Sequence, residues 1–261
     1  MVSFGYAPVK GTRHIDRPDA VVDAHGPVDD RRYCLIDVDR RQVLKTVQNP
    51  SLIGILATVH GGGGADGQEL ELRLPDGRSA SAVPEPTGET LTCDYWKRKV
   101  ELTVTEGPHA ALASDWLGRP VRLARAPRGD IVFGSPISIV TTASLRDLAA
   151  RIDHPDLLAE AARFRATVVV DTDQPYVEET WQGQEKILTG SGFANSGVTT
   201  LLVRIGAPIP RCAVMDLHPV TGERGPRLLK TLAGYRPKNE AGEPLFGVNA
   251  EVVTATPPTR R

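Results

Sequence analysis

The chain has 261 residues, with 31 Lys and Arg against 32 Asp and Glu, a formal net charge of −1. That balance supplies no electrostatic reason for nucleic acid or an anionic membrane as partner, and no apolar run nears the roughly 20 residues that span a bilayer. The start, MVSFGYAPVKG, lacks a basic stretch followed by an apolar core, and the three cysteines are widely spaced, so a cytoplasmic protein is expected.

Most apolar runs are short, rich in Val and Ile, and bounded by Gly, Pro or Asp, which is the signature of strands. RRYCLIDVD and RRQVLKTV read as a hairpin turning at Asp39 and Arg40, and SLIGILATV, QELELRL and KVELTVT continue the pattern. The glycine run at 61–64 has no Gly-Lys-Ser/Thr after it and opens no helix, so it reads as a loop rather than a phosphate cradle. Pro and Gly thicken between Pro108 and Arg128, where a domain boundary is expected.

Beyond it, ISIVTT predicts a strand and ASLRDLAARI a helix with Ser144 at its N-cap and Asp147 three residues on. HPDLLAEAARF predicts a second short helix with Pro155 in its first turn. ATVVVDT, TTLLVRIG and CAVMDLHP follow as strands, GPRLLKTLAGYR as a helix and FGVNAEVV as a last strand. The fold class is mainly β with a few helices, α+β.

Two features carry chemistry. Cys212 sits between Arg211 and a short apolar run, where it is either a buried thiol or a thiolate that a guanidinium stabilises and that can bind a soft metal. On a strand, His218 would share its face about 20 Å away, too far to share a metal. In TTAS, Thr141, Thr142 and Ser144 stand at a helix start, where hydroxyls and free backbone N–H groups either bind an anion or simply cap the helix. Lys10, Arg31 and Arg165 stand at strand edges beside apolar residues and need a partner, a structural ion pair or an anionic ligand. No hydrolase elbow, Walker loop or dinucleotide fingerprint is present.

The order of nine segments resembles a known family: YAPVKG (6–11), DDRRYCLID (29–37), LKTVQNPSL (44–52), SPISIVTTASL (135–145), RFRATVVVD (163–171), YVEETWQG (176–183), PRCAVMDLHPVTGER (210–224), LLKTLAGYR (228–236) and FGVN (246–249). Together they resemble the MOSC-domain proteins, among them the mitochondrial amidoxime-reducing component and its bacterial counterparts. The resemblance implies an N-terminal MOSC-type β-barrel over residues 1–110 and a MOSC β-barrel domain over 111–261, with some interleaving. It implies the molybdenum cofactor, a molybdopterin, with Cys212 as metal ligand and catalytic residue. Lys10, Arg31, Thr141, Thr142, Ser144, Arg165, Thr167 and Arg211 fall at cofactor-contacting positions. Gly11, Val47, Ala166, Thr167 and Ile209 depart from the family pattern, which has Ser, Arg, Pro, Asn and Cys there, and TATPPTRR stands where relatives have a Gly-Asp-containing closing strand.

The activity so implied is reduction of an N-oxygenated small-molecule substrate with electrons from a separate electron-transfer protein. The alternatives are a persulfide sulfur carrier on Cys212, served by a PLP-dependent cysteine desulfurase, and an accessory protein of cofactor biosynthesis.

Overall fold

A computed structural model describes residues 2–17, 21–61, 67–189 and 200–256. Gly62, Gly63 and Gly64 of the glycine run, and Pro257 to Arg261 of the closing stretch, lie outside the described residues.

Strands dominate, as the punctuated apolar runs predict. Five of them, Glu85–Tyr95, Arg98–Glu106, Arg122–Arg125, Tyr33–Asp37 and Gln42–Val43, close into a barrel. Its alternation is legible along Arg98–Glu106: Val100, Leu102 and Val104 are buried, while Lys99 and Glu101, on either side of Val100, face out. Cys34 and Cys93 join Ile36, Tyr95 and Ile131 in this core. Burial raises both thiol pKa values, so the two behave as small hydrophobes. A three-stranded sheet of Leu56–His60, Glu69–Arg73 and Ser79–Ala82 packs its buried Leu70 and Leu72 in one cluster with Ala113 of helix α1 (His109–Leu117).

The second body is a seven-stranded sheet ordered Glu185–Leu188, Thr200–Pro210, Leu245–Thr256, Ile137–Thr141, Val168–Val170, Val2–Tyr6 and Ile15–Asp16. Ile137–Thr141 and Val168–Val170 run parallel, so a crossover must join them. Helix α2 (Thr142–Arg151) and two 3-10 turns supply it. HPDLLAEAARF is therefore two short 3-10 turns, Pro155–Leu158 and Ala161–Phe164, not one helix. Helix α3 (Leu228–Tyr235) places Leu228 and Leu232 in a core with Leu148, Phe164 and Phe246.

One pairing decides where the site forms. The chain's first strand, Val2–Tyr6, pairs antiparallel with Val168–Val170, so the chain starts in the large sheet before it builds the barrel. The segment that follows is clamped to the barrel entrance: Lys10 N–H donates to the Tyr33 carbonyl at 2.7 Å, and Arg31 N–H to that of Ala7 at 2.9 Å. Lys10 and Arg31 are thereby held at the junction between barrel and sheet.

Candidate functional site

The long strand Thr200–Pro210 carries Pro208 and Pro210, which have no N–H to give to the ladder. Its register against Leu245–Thr256 slips on both sides of Pro208, and the chain leaves the ladder after Pro210. Cys212 then takes an extended conformation, φ −123° and ψ 174°, ahead of a 3-10 turn at Ala213–Asp216. CAVMDLHP is therefore not a strand: a short apolar run does not distinguish a strand from a turn by periodicity. The Cys212 thiol is exposed, unlike the other two, which removes the buried-thiol alternative.

Cys212 lines a cleft of about 200 Å³ together with Lys10, Arg31, Arg163, Arg165 and Arg211. These cations are held by backbone carbonyls and by few carboxylates. Arg211 Nε and Nη1 donate to the carbonyls of Phe246 (2.8 Å) and Phe164 (3.0 Å), and Arg165 Nη1 to that of Thr12 (2.8 Å). Arg163 Nε donates to Glu160 at 2.6 Å, and Arg31 is paired with Asp30, whose other oxygen accepts the Ala7 N–H at 3.1 Å. Among these cleft residues four buried guanidinium nitrogens still have no hydrogen-bond partner: Arg31 Nε, Arg163 Nη1, Arg165 Nη2 and Arg211 Nη2. A surplus of buried donors is costly unless a ligand accepts from them.

The electrostatics carry the same message. Burial, then the neighbouring charges of Arg31 and Arg165, hold the Lys10 ammonium well below its usual pKa. Burial pulls the pKa of Arg165 down to about 10, with Arg31 adding to the effect, and that of Arg211 to about 10. Buried His14, bonded to the Ala166 carbonyl at 3.0 Å, is lowered by burial and by Arg165 and Arg31. Arg31 and Arg165 also stand on left-handed backbone, φ 49° and 50°, a strained conformation for any residue but glycine. Like charges gathered on strained backbone destabilise the empty fold, and an anionic ligand would relieve them.

The hydroxyls of TTAS do not join this cleft. Thr141, not Ser144, is the N-cap of α2, accepting the Ser144 N–H at 3.4 Å. Both side chains are fully buried and hydrogen-bonded to Glu178, at 2.9 Å from Thr141 and 3.0 Å from Ser144. Burial raises the Glu178 pKa. Thr142 donates to Asp171 at 2.6 Å. The three hydroxyls thus serve carboxylates of the chain itself. Thr167 is buried as well; its hydroxyl accepts the Ser138 N–H at 3.2 Å and stands behind Ser138, which does line the cleft. Lys10, Arg31, Arg165, Arg211 and Cys212 are the expected residues that the structure brings together.

Sequence reading passed over Arg163, Lys45 and Asn249, which also line the cleft. Asn249 accepts the Ser135 N–H at 3.4 Å and donates to the Ala207 carbonyl at 3.2 Å, linking the loop at Ser135 to the strand Thr200–Pro210. RFRATVVVD, LKTVQNPSL and FGVN contain all three, but nothing local separates them from structural polar residues. Gly247 in the same FGVN stretch has φ 72°, and a Cβ there would lie 2.4 Å from the Ile139 carbonyl and 3.1 Å from Arg211 Nη2. Gly247→Ala is expected to destabilise the fold by about 2 kcal/mol or more, read as a lowered denaturation midpoint. An unchanged midpoint would show that the strand yields at this position.

Comparison with known proteins bears on this geometry. The family model for the MOSC N-terminal beta barrel domain matches residues 2–120, and that for the MOSC domain matches residues 101–256. A molybdenum cofactor sulfurase of Caenorhabditis elegans is 24% identical over 239 residues, which are 89% of this chain and 31% of that protein. That of Caenorhabditis briggsae is 23% identical over 241 residues, with the same two shares, 89% and 31%, so the chain spans about a third of the length of these curated relatives. The solution structure of a Bordetella bronchiseptica protein is 16% identical, covering 46% of this chain and 93% of its own, with a TM-score of 0.30. No helix among the described residues is long and apolar enough to cross a membrane. The MOSC match spans Arg165, Arg211 and Cys212, the barrel match spans Lys10 and Arg31, and this chain belongs to the MOSC family.

Proposed function

We propose that the cleft binds the molybdenum cofactor and that the protein reduces N-oxygenated small molecules. The observation that carries this reading is the set of unpartnered guanidinium nitrogens beside one exposed cysteine. The residues fit such a group. A phosphorylated pterin is an anion rich in acceptors, and charge-assisted N–H bonds to phosphate are among the stronger ones available. Among the described residues no group of three or more His, Cys, Asp or Glu could hold a metal by itself. A single thiolate suits a metal whose other ligands belong to a cofactor.

When bound, the cofactor supplies a metal that exchanges oxygen and electrons with substrate. The protein's own residues do the rest. Arg165 and Arg211, fixed by three backbone carbonyls, offer their free N–H groups at set positions, and Lys10 and Arg31 add charge. Cys212, on a turn made by the departure from the ladder after Pro210, presents sulfur to the cleft. In this reading a separate redox protein delivers the electrons.

The exposure of Cys212 and the likeness to molybdenum cofactor sulfurases favour a second reading, a sulfur carrier. There the Cys212 thiolate attacks the outer sulfur of a donor persulfide, as a desulfurase would present. The new S–S bond forms on Cys212 and the donor leaves as its thiolate.

The test is protein made in a host that synthesises the cofactor. About one molybdenum per chain, and reduction of an N-hydroxylated amidine by viologen-supplied electrons, are expected. Cyanide-releasable sulfur on Cys212 in protein without molybdenum would replace the first reading by the second.

A further inference from the structure

The mouth of the cleft carries chemistry that its cationic floor does not use. Strands Glu85–Tyr95 and Arg98–Glu106 are joined by Trp96 and Lys97 alone, at φ 53° and 66°. A two-residue hairpin loop with both residues left-handed is a type I′ turn, whose favoured occupants are Asn-Gly. Tryptophan and lysine each carry a steric cost there that glycine avoids. The turn therefore gives no reason for a tryptophan.

Its ring lies in the open, 41% exposed, beside Phe133 at 54%. The two centroids are 5.8 Å apart with the planes tilted by 58°. Arg98 of the hairpin donates to the Val132 carbonyl at 3.0 Å, which ties the loop carrying Phe133 to the turn carrying Trp96. The Lys45 ammonium lies 4.6 Å from the Trp96 centroid. Trp96, Phe133 and Lys45 all line the cleft that contains Cys212. Two rings make a patch far smaller than the roughly 800 Å² that each partner contributes to a stable protein interface, so the occupant is a small molecule.

We infer that Trp96 and Phe133 form a binding wall for a flat aryl group on the small-molecule substrate, whose polar end points to the Cys212 side of the cleft. Tilted aromatic pairs accept a third ring in offset or edge-on contact, and rings already fixed by the fold lose little freedom on binding. Lys45, ion-paired with Asp94 at 3.8 Å, lays its ammonium over the Trp96 ring and helps to hold it in place. The inference rests on the reductase reading and narrows its substrate class to aryl compounds.

The experiment is calorimetric binding of two N-hydroxylated amidines that differ only in bearing a phenyl or a methyl group, to protein isolated with its cofactor. Wild type is expected to prefer the phenyl compound by about tenfold, and Trp96→Ala to lose about fivefold of that preference. Trp96→Phe should keep most of it. The pair Trp96→Asn with Lys97→Gly restores the favoured turn residues, so its midpoint should stay at or above wild type while the preference falls as in Trp96→Ala. A phenyl compound that binds wild type no better than its methyl partner, or a preference that survives the Asn-Gly pair, overturns the inference. Molybdenum content and viologen-driven turnover are read on the same protein. Their absence with the preference intact defeats the reductase reading alone, whereas loss of the preference with turnover present defeats the aryl wall alone.

Discussion

Cys212→Ser is expected to lower molybdenum retention by roughly tenfold or more while leaving the fold intact. The chemistry is a change of donor. A thiol ionises far more readily than a serine hydroxyl and is a soft ligand, whereas the hydroxyl is a hard, protonated one near neutral pH. The structure says why folding should not confuse the result. Cys212 is exposed, its side chain caps nothing, and its backbone is in an ordinary extended conformation. The denaturation midpoint should therefore move little. The guanidinium groups remain in the variant, so pterin released on denaturation, read by fluorescence, should fall less than the metal. Equal metal in variant and wild type would remove Cys212 from the role of ligand. Equal loss of metal and pterin, together with a lowered midpoint, would mean that the thiol supports the turn rather than the metal.

Much of the architecture is legible in the sequence because its signals are local. The alternation of Arg98–Glu106, the strand-to-helix step at Ile137–Thr141 and α2, and the run Leu228–Tyr235 need only neighbours in the chain. The misreadings come from partners distant in sequence or from backbone conformations that residue type alone does not announce. The TTAS hydroxyls are where a helix start should be, but Glu178, more than thirty residues on, takes their hydrogen bonds. Ser144 reads as an N-cap because the stretch is rich in hydroxyls, and only the extended backbone of Thr141 places the cap. CAVMDLHP imitates a strand until the two prolines before it dissolve the ladder. Trp96 resembles any strand aromatic until its positive φ marks it as a turn residue. The gathering of Lys10 and Arg31 with Arg165 and Arg211 depends on Val2–Tyr6 pairing with Val168–Val170 across more than 160 residues, a pairing that no local pattern announces.

The same gathering sets a pH signature for protein stripped of its cofactor. From pH 7 to about 9.5 the wild-type denaturation midpoint is expected to gain on that of Lys10→Met, while the buried thiols of Cys34 and Cys93, which lower stability as pH rises, act equally in both. Burial, Arg31 and Arg165 lower the Lys10 pKa in the folded state. Between that lowered value and the ordinary lysine pKa near 10.5 Lys10 is protonated in the unfolded chain and not in the folded one, so its contribution to stability increases with pH across the window. Below the window both states hold the proton, and the full cost of a buried ammonium among guanidinium groups remains. Arg165→Met should act in the same direction at pH 7, because it removes a buried cation beside Lys10 and leaves only the Thr12 carbonyl without its donor. A midpoint gain of about 2 °C is expected. The binding result should have the opposite sign. Inorganic pyrophosphate, standing in for an anionic ligand, should bind Arg165→Met about tenfold more weakly, and its wild-type affinity should fall as salt is added. Pyrophosphate bound to wild type should also stabilise the Lys10 ammonium, so that Lys10→Met takes up fewer protons on binding than wild type, seen as a weaker dependence of the calorimetric heat on buffer ionisation. A lower midpoint in Arg165→Met with unchanged pyrophosphate affinity would make Arg165 part of the framework. The reverse pair, a firmer empty fold and a weaker hold on the anion, is what residues kept for a ligand at the expense of stability should give.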